Sequence, residues 1–209
     1  MARESAHQLG TPISSLAGWV ELLADRANDE LGQRAVGHMA GDIERLERVA
    51  HRFERIGRPP QKEDLDVETI LQRVTEYFRA RVPTLSHTVQ IALKTSGPLQ
   101  VKGDPVLIEW AVEAVVKNAV DALAGRGGRI LVEGERLPEG DIRVRVTDDG
   151  PGVPRDLRKR IFDAGFSTKE RGWGIGLALA RRIVAESHRG SLALLPSSRG
   201  ARFEFIFPA

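Results

Sequence analysis

The chain has 209 residues, 41% of them apolar and 29% charged, with no cysteine and a formal charge of +2. Without cysteine there are no disulfides, thiolate metal sites or cysteine nucleophiles. A near-neutral charge, with arginines interleaved among acids as from Asp42 to Arg48, argues against nucleic acid as the main partner.

No run approaches the roughly 18 apolar residues that cross a bilayer. Met1 to His7 lacks the apolar centre of a secretory signal. The expectation is a cytoplasmic chain of one large domain or two small ones. In chain order, Leu9, Ile13, Leu16, Val20 and Leu23 recur at helical spacing and predict one stripe of a first helix. Ala27-Asn28-Asp29 reads as a helix–helix connection. Val36, Met39, Ile43, Leu46, Ala50 and Phe53 then step by threes and fours, the heptad spacing of a bundle seam. Two helices alone cannot enclose a core, so this hairpin should pair with a second copy or pack on the remainder.

Gly57-Arg58-Pro59-Pro60 punctuates the chain. The expected division is a hairpin over 1–57, a linker over 58–64 and a second domain over 65–209. Asp66 caps a predicted helix bearing Ile70, Val74 and Phe78, and Val89, Ile91 and Leu93 alternate as a strand. Asp104-Pro105 opens another helix, with aspartate as cap and proline in the first turn. Ile130 and Val132, then Ile142, Val144 and Val146, alternate again. A glycine-rich stretch from Gly165 to Gly176 leads into a helix expected over Leu177 to Glu186, followed by strands near Leu192 to Leu194 and Phe203 to Phe207. Such a mixture predicts an α+β sandwich, a sheet with helices on one face.

Four elements could carry chemistry. His7 and Thr11 lie nearly opposite the apolar stripe at about 100° per residue, so His7 faces solvent or a partner. Pro12 leaves the carbonyl of Gln8 without its helical donor, which predicts a kink one turn after His7. An exposed imidazole titrates near neutrality and can act as a nucleophile. Asn118 falls at the edge of the stripe Ile108, Ala111, Val112, Val115, Ala119 and Ala122, where its amide oxygen could serve a hard cation. Asp148 continues the even register of Ile142, Val144 and Val146, so it points to the buried face and needs a donor there. The amino group of adenine would suit, and Gly150 and Gly152 would let the chain approach a flat ligand. Finally, glycines before the Leu177 helix, with Lys169 and Arg171 beside them, suit a phosphate cradle. Singly, each has a plainer alternative: a surface histidine, a boundary polar residue, a β-turn, a flexible connection.

Together, in this order, they resemble a known family. HQLGTP is similar to the phosphoacceptor box of sensor histidine kinases, and VVKNAVDAL to their asparagine box. DDGPG, FDAGFSTK and GWGIGLALARRIV are similar to their first glycine, phenylalanine and second glycine boxes. The last three also occur in the wider ATPase superfamily with DNA gyrase and MutL; His7 and its hairpin distinguish the kinases. The resemblance implies ATP and Mg2+ as cofactors, a four-helix bundle formed by a homodimer, and an aspartate on a response regulator receiver domain as acceptor. It implies that His7 is phosphorylated, that Asn118 holds magnesium and that Asp148 accepts from adenine. Asp121, Gly150, Gly152, Val153 and Leu177 would adjoin the nucleotide. Lys169, Gly174 and Gly176 would lie against the triphosphate, under a short lid from Gly165 to Gly172. Thr11 would orient water for dephosphorylating the regulator.

Three departures stand out. The acidic base that commonly follows the histidine is Gln8 here, which cannot take a proton. A second asparagine one turn before Asn118 is Ala114. A terminal Gly-Thr pair is Gly200-Ala201. The expectation is an ATP-dependent histidine autokinase that reads as part of a longer sensor. The alternative is a nucleotide-binding scaffold with weak phosphotransfer.

Overall fold

In the computed structural model the chain divides into two compact units, Met1–Pro60 and Gln61–Ala209. The structure describes residues 2–27, 29–40, 43, 59–82, 89–169 and 174–209, with side chains from Pro12 onward. The division falls in the stretch expected as linker, and Glu63 and Asp64 already belong to a strand of the second unit.

In the first unit, α1 (Ala2–Ala24) runs through Pro12 and is followed, after a turn, by α2 over residues 30–40. Ile13, Val20 and Ile43 are buried together, with Ala17 and Val36 packed against them. The expected single stripe of α1 therefore splits. Leu16 and Leu23 stay about half exposed at 49% each, beside Trp19 at 63% and Leu22 at 59%. One neighbouring helix shields one arc, and Leu16 and Leu23 lie about 60–80° away from it. Leu46, Ala50 and Phe53 lie outside the described residues, as does the side chain of Leu9.

The second unit is an α+β sandwich. Its five-stranded mixed sheet has the order β2 (Val89–Ser96), β4 (Gly128–Arg136), β5 (Ile142–Asp148), β7 (Arg202–Phe207), β6 (Ser191–Leu195). Only the β2–β4 pair is parallel among these. A small antiparallel pair, β1 (Glu63–Asp66) and β3 (Gln100–Gly103), stands apart, with Glu63 opposite Gly103. The alternation forecast for β5 appears as burial of Ile142, Val144, Val146 and Asp148 on one face. The opposite face carries a ladder in which Arg145 Nε donates to Glu204 Oε2 at 2.7 Å.

Three helices cover the apolar face, the last through Ala180, Ile183 and Val184. The first, α3 (Val67–Arg79), starts at Asp66, whose carboxylate accepts from Glu68 N at 3.0 Å. Its buried side carries Val67, Ile70, Leu71, Val74 and Phe78. The second, α4 (Pro105–Leu123), starts at Asp104, which accepts from Leu107 N at 3.3 Å and from Gln61 N at 2.8 Å. Ile108, Ala111, Val112, Val115 and Val116 are fully buried against Ile130, Val132, Phe205 and Phe207. Each large apolar side chain hidden this way contributes about 1.5–3 kcal/mol.

The last helix spans the range its pattern suggested but changes its winding partway. It is α-helical over Gly176–Arg182 (α5) and widens into a π turn over Ile183–Ser187. The wide turn delivers His188, which is buried. Its Nδ1–H donates to Ile183 O at 3.0 Å, while Nε2 accepts from Asp104 N at 3.0 Å. This ring ties the end of the α5 segment to the start of α4.

Candidate nucleotide site

At the end of β5 the chain holds one carboxylate in the interior. Asp148 pairs across from Ile130 and is 3% exposed. Its N–H donates to Ala201 O at 3.0 Å. Its Oδ1 accepts from Gly150 N at 2.8 Å and from Ala201 N at 3.2 Å. No donor reaches Oδ2 among the described residues, although a buried carboxylate oxygen needs one. Burial pushes the Asp148 pKa up; the two amide bonds oppose this only in part, and neighbouring Asp149 adds to it. The site thus keeps a hydrogen-bond acceptor desolvated and unused, the feature a donor on a flat ligand would satisfy.

The close approach behind it depends on Gly200. At φ +65°, a Cβ on this residue would stand 1.7 Å from Asp148 O, so β5 and the turn before β7 can meet only over glycine. Gly152, at φ +74°, faces the same turn. The Gly200-Ala201 pair, which departs from the usual Gly-Thr, acts here through its backbone: the amide and carbonyl of Ala201 are what clamp Asp148. Val153 and Leu177 are half-buried and packed on the main core.

On α4, Asn118 and Asp121 are three residues apart and share a face. Lys169 Nζ donates to Asn118 Oδ1 at 3.0 Å and to Asp121 Oδ2 at 2.7 Å. Lys117 Nζ also reaches Asp121 Oδ2, at 2.8 Å. Burial alone would raise the Asp121 pKa, but the hydrogen bonds and charges of Lys117 and Lys169 outweigh it and hold the pKa below the ordinary aspartate value. Two hard oxygens thus converge on one cationic nitrogen, a donor set that fits a small divalent ion. No cluster of three or more His, Cys, Asp or Glu exists among the described residues. An ion here would take few protein ligands and complete its shell from elsewhere.

The glycine-rich stretch supplies Lys169 to the second of these centres. Gly165 N donates to Gly174 O at 3.0 Å and closes its base. Gly174 has φ +66°, and a Cβ there would stand 2.4 Å from the backbone of Gly165, so this crossing also needs glycine. Arg160 lies 4.6 Å from the centre of the Phe166 ring, and Arg181 lies 5.1 Å from that of Phe162. Lys169 N is held by Ser167 Oγ at 3.0 Å. Gly176 opens α5. Arg171 and Gly172 fall outside the described residues. The structure therefore gathers Asn118, Asp121 and Lys169 into one cluster, and Asp148 with Gly150 into another. His7, Gln8 and Thr11 belong to α1 in the first unit, and their side chains lie outside the described residues.

Comparison with known proteins gives this arrangement a context. The chain is 33% identical over its whole length to the sensor histidine kinase ZraS of Klebsiella oxytoca, 45% of which it spans. It is 28% identical, again over its whole length, to the sensory histidine kinase/phosphatase NtrB of Azospirillum brasilense, covering 55% of that protein. The chain thus spans about half the length of these curated relatives. Its fold matches that of full-length ShkA, solved in complex with AMPPNP, with a TM-score of 0.76 and 26% identity over 99% of this chain and 45% of that one. No helix among the described residues is long and apolar enough to cross a membrane. Residues 103–209, more than half of the chain, match the sequence pattern of the histidine kinase-, DNA gyrase B-, and HSP90-like ATPases, and the chain belongs to that family.

Proposed function

We propose that the chain is the catalytic core of a sensor histidine kinase, which transfers the γ-phosphoryl group of ATP to His7 and then to an aspartate of a response regulator. The observation that carries this reading is the buried Asp148 carboxylate. Its Oδ1 is fixed by two backbone amides while Oδ2 keeps an unused lone pair. An adenine amino group supplies the missing donor, and a guanine carbonyl does not. Asn118 and Asp121 would hold magnesium, which when bound neutralises phosphate charge. Lys169, hydrogen-bonded to both side chains, would serve the same phosphates as a point charge on a flexible stem.

For the transfer, a neutral ring nitrogen of His7 attacks the γ-phosphorus. The bond to the β–γ bridging oxygen breaks, and ADP leaves with that electron pair. The proton on the other ring nitrogen must be held as charge develops. The Gln8 carbonyl can accept its hydrogen bond but cannot take it, which leaves water to do so. Thr11, one turn on from His7, is assigned to water orientation in regulator dephosphorylation. The half-exposed Leu16, Trp19 and Leu23 favour a homodimer that completes the bundle. The catalysis is assigned to the cytoplasm, where ATP is available.

Kinase names on relatives matched along the whole chain favour phosphotransfer over the scaffold alternative. Incubation with γ-labelled ATP tests it. Label on the protein, stable in alkali and lost in acid, supports a phosphohistidine. Nucleotide bound without label supports the scaffold.

A further inference from the structure

Asp121 carries a charge that a phosphate-binding pocket would ordinarily avoid. It lies on the same face of α4 as Asn118, and both side-chain oxygens accept from the single Lys169 ammonium, at 2.7 and 3.0 Å. Lys117 reaches the same Asp121 oxygen from one turn earlier. The carboxylate is about 30% exposed, so solvent screens it only in part. Lys169 belongs to the loop at the base of the glycine-rich stretch, while Asn118 and Asp121 belong to a rigid, buried helix. The two oxygens are therefore the fixed part of this arrangement and the ammonium the movable part.

We infer that Asp121 makes the pocket selective for metal-complexed nucleotide, because a divalent ion can take the place of the Lys169 ammonium between its carboxylate and the Asn118 amide oxygen. The inference rests on the nucleotide reading above. A triphosphate arriving without metal draws Lys169 toward itself and leaves the Asp121 carboxylate facing phosphate with nothing between them. Like charges at such range repel, strongly where water is partly excluded. A triphosphate arriving with a divalent ion reverses the sign. The ion meets one carboxylate and one amide oxygen, the hard donors it prefers, and takes its remaining ligands from phosphate and water. The displaced ammonium, on its long flexible stem, then pairs with phosphate. The same carboxylate thus opposes one form of the ligand and favours the other. The rival view makes Asp121 a mere tether, an exposed helix carboxylate that pairs with Lys117 and steadies the loop. A tether would affect both ligand forms alike.

The test compares ATP affinity by calorimetry in magnesium and in EDTA, for the parent, Asp121→Asn and Asp121→Glu. Asp121→Asn should narrow the ratio of the two Kd values about five- to tenfold, chiefly by tightening metal-free binding. Asp121→Glu should restore part of the gap. Manganese, followed by its spin-resonance signal with ADP present, should bind more weakly to Asp121→Asn than to the parent. An unchanged ratio, or both affinities shifted by one factor, overturns the inference and leaves the nucleotide reading standing. A parent that binds ATP under neither condition overturns both.

Discussion

Replacing Asp148 by asparagine separates a residue kept for binding from one kept for folding. The asparagine Oδ1 can keep the bonds from Gly150 N and Ala201 N. What changes is the second atom, an acceptor turned into an NH2 donor. A donor would then face the donor of adenine. A hydrogen bond to a charged group contributes about 1.5–3 kcal/mol, so ATP affinity should fall about ten- to hundredfold. Stability should move the other way. Burial holds the Asp148 pKa above its ordinary value, so the folded chain takes up this proton more readily than the unfolded chain. Stability from this group therefore falls as pH rises through the ordinary aspartate range up to the raised folded pKa, and is flat above it. At neutral pH the ionised side chain is a net cost that asparagine removes, so the melting temperature should hold or rise. Calorimetric titration with ATP and thermal unfolding at pH 7 measure both quantities. Unchanged ATP affinity would refute the adenine assignment. A large drop in melting temperature would show that Asp148 serves the fold instead.

Other outcomes follow from particular contacts. Gly200→Ala drives a Cβ into the Asp148 carbonyl at a positive φ, and should cost at least about 2–4 kcal/mol in urea unfolding while abolishing ATP binding; parental stability would mean that the two strands can separate there freely. Burial pushes the His188 pKa down, the Ile183 hydrogen bond opposes this, Lys62 adds to it and Asp104 opposes it. The folded chain thus holds the ring neutral while the unfolded chain protonates near pH 6.5. Stability from His188 should be complete above that pH and decline on acidification toward the lower folded pKa, by at most about 1.4 kcal/mol per pH unit. His188→Gln should remove that slope between pH 5.5 and 7.5 in denaturant titrations. Gln8→Glu restores a proton acceptor beside His7 and should speed labelling by up to about 10²–10⁴-fold without changing ATP affinity; no acceleration would mean that another group already serves as base.

Much of this site is legible from local pattern. The alternation Ile142, Val144, Val146 assigns Asp148 to the buried face because a strand has period two, and the β5 burial follows it. Asp66 and Asp104 announce two helices by capping chemistry that needs only neighbouring residues. The unforeseen features involve distant residues. Ala201 clamps Asp148 across 53 positions, and Lys169 reaches Asn118 across 51. Neither contact leaves a periodic trace. The β1 strand was missed because Glu63-Asp64-Leu65-Asp66 has one apolar residue, and it is the pairing with β3 that makes it a strand. The π turn was missed because Ile183 to Ser187 carries helix-compatible residues; anchoring of His188 to Asp104 sets the local geometry. On α1 one helical stripe concealed two environments, one buried and one half-exposed, since periodicity reports which residues are apolar and not which neighbour covers them.

The most direct test is to locate the phosphate. Parent protein, His7→Ala and Asp148→Asn are incubated with magnesium and ATP, digested at neutral to alkaline pH, and the peptides sequenced by mass spectrometry. We expect one phosphorylated peptide in the parent, with the phosphate on His7, none in His7→Ala, and strongly reduced yield in Asp148→Asn at an ATP concentration near the parental Kd. Phosphate on another residue, or equal yield in His7→Ala, would contradict phosphotransfer from this pocket to His7.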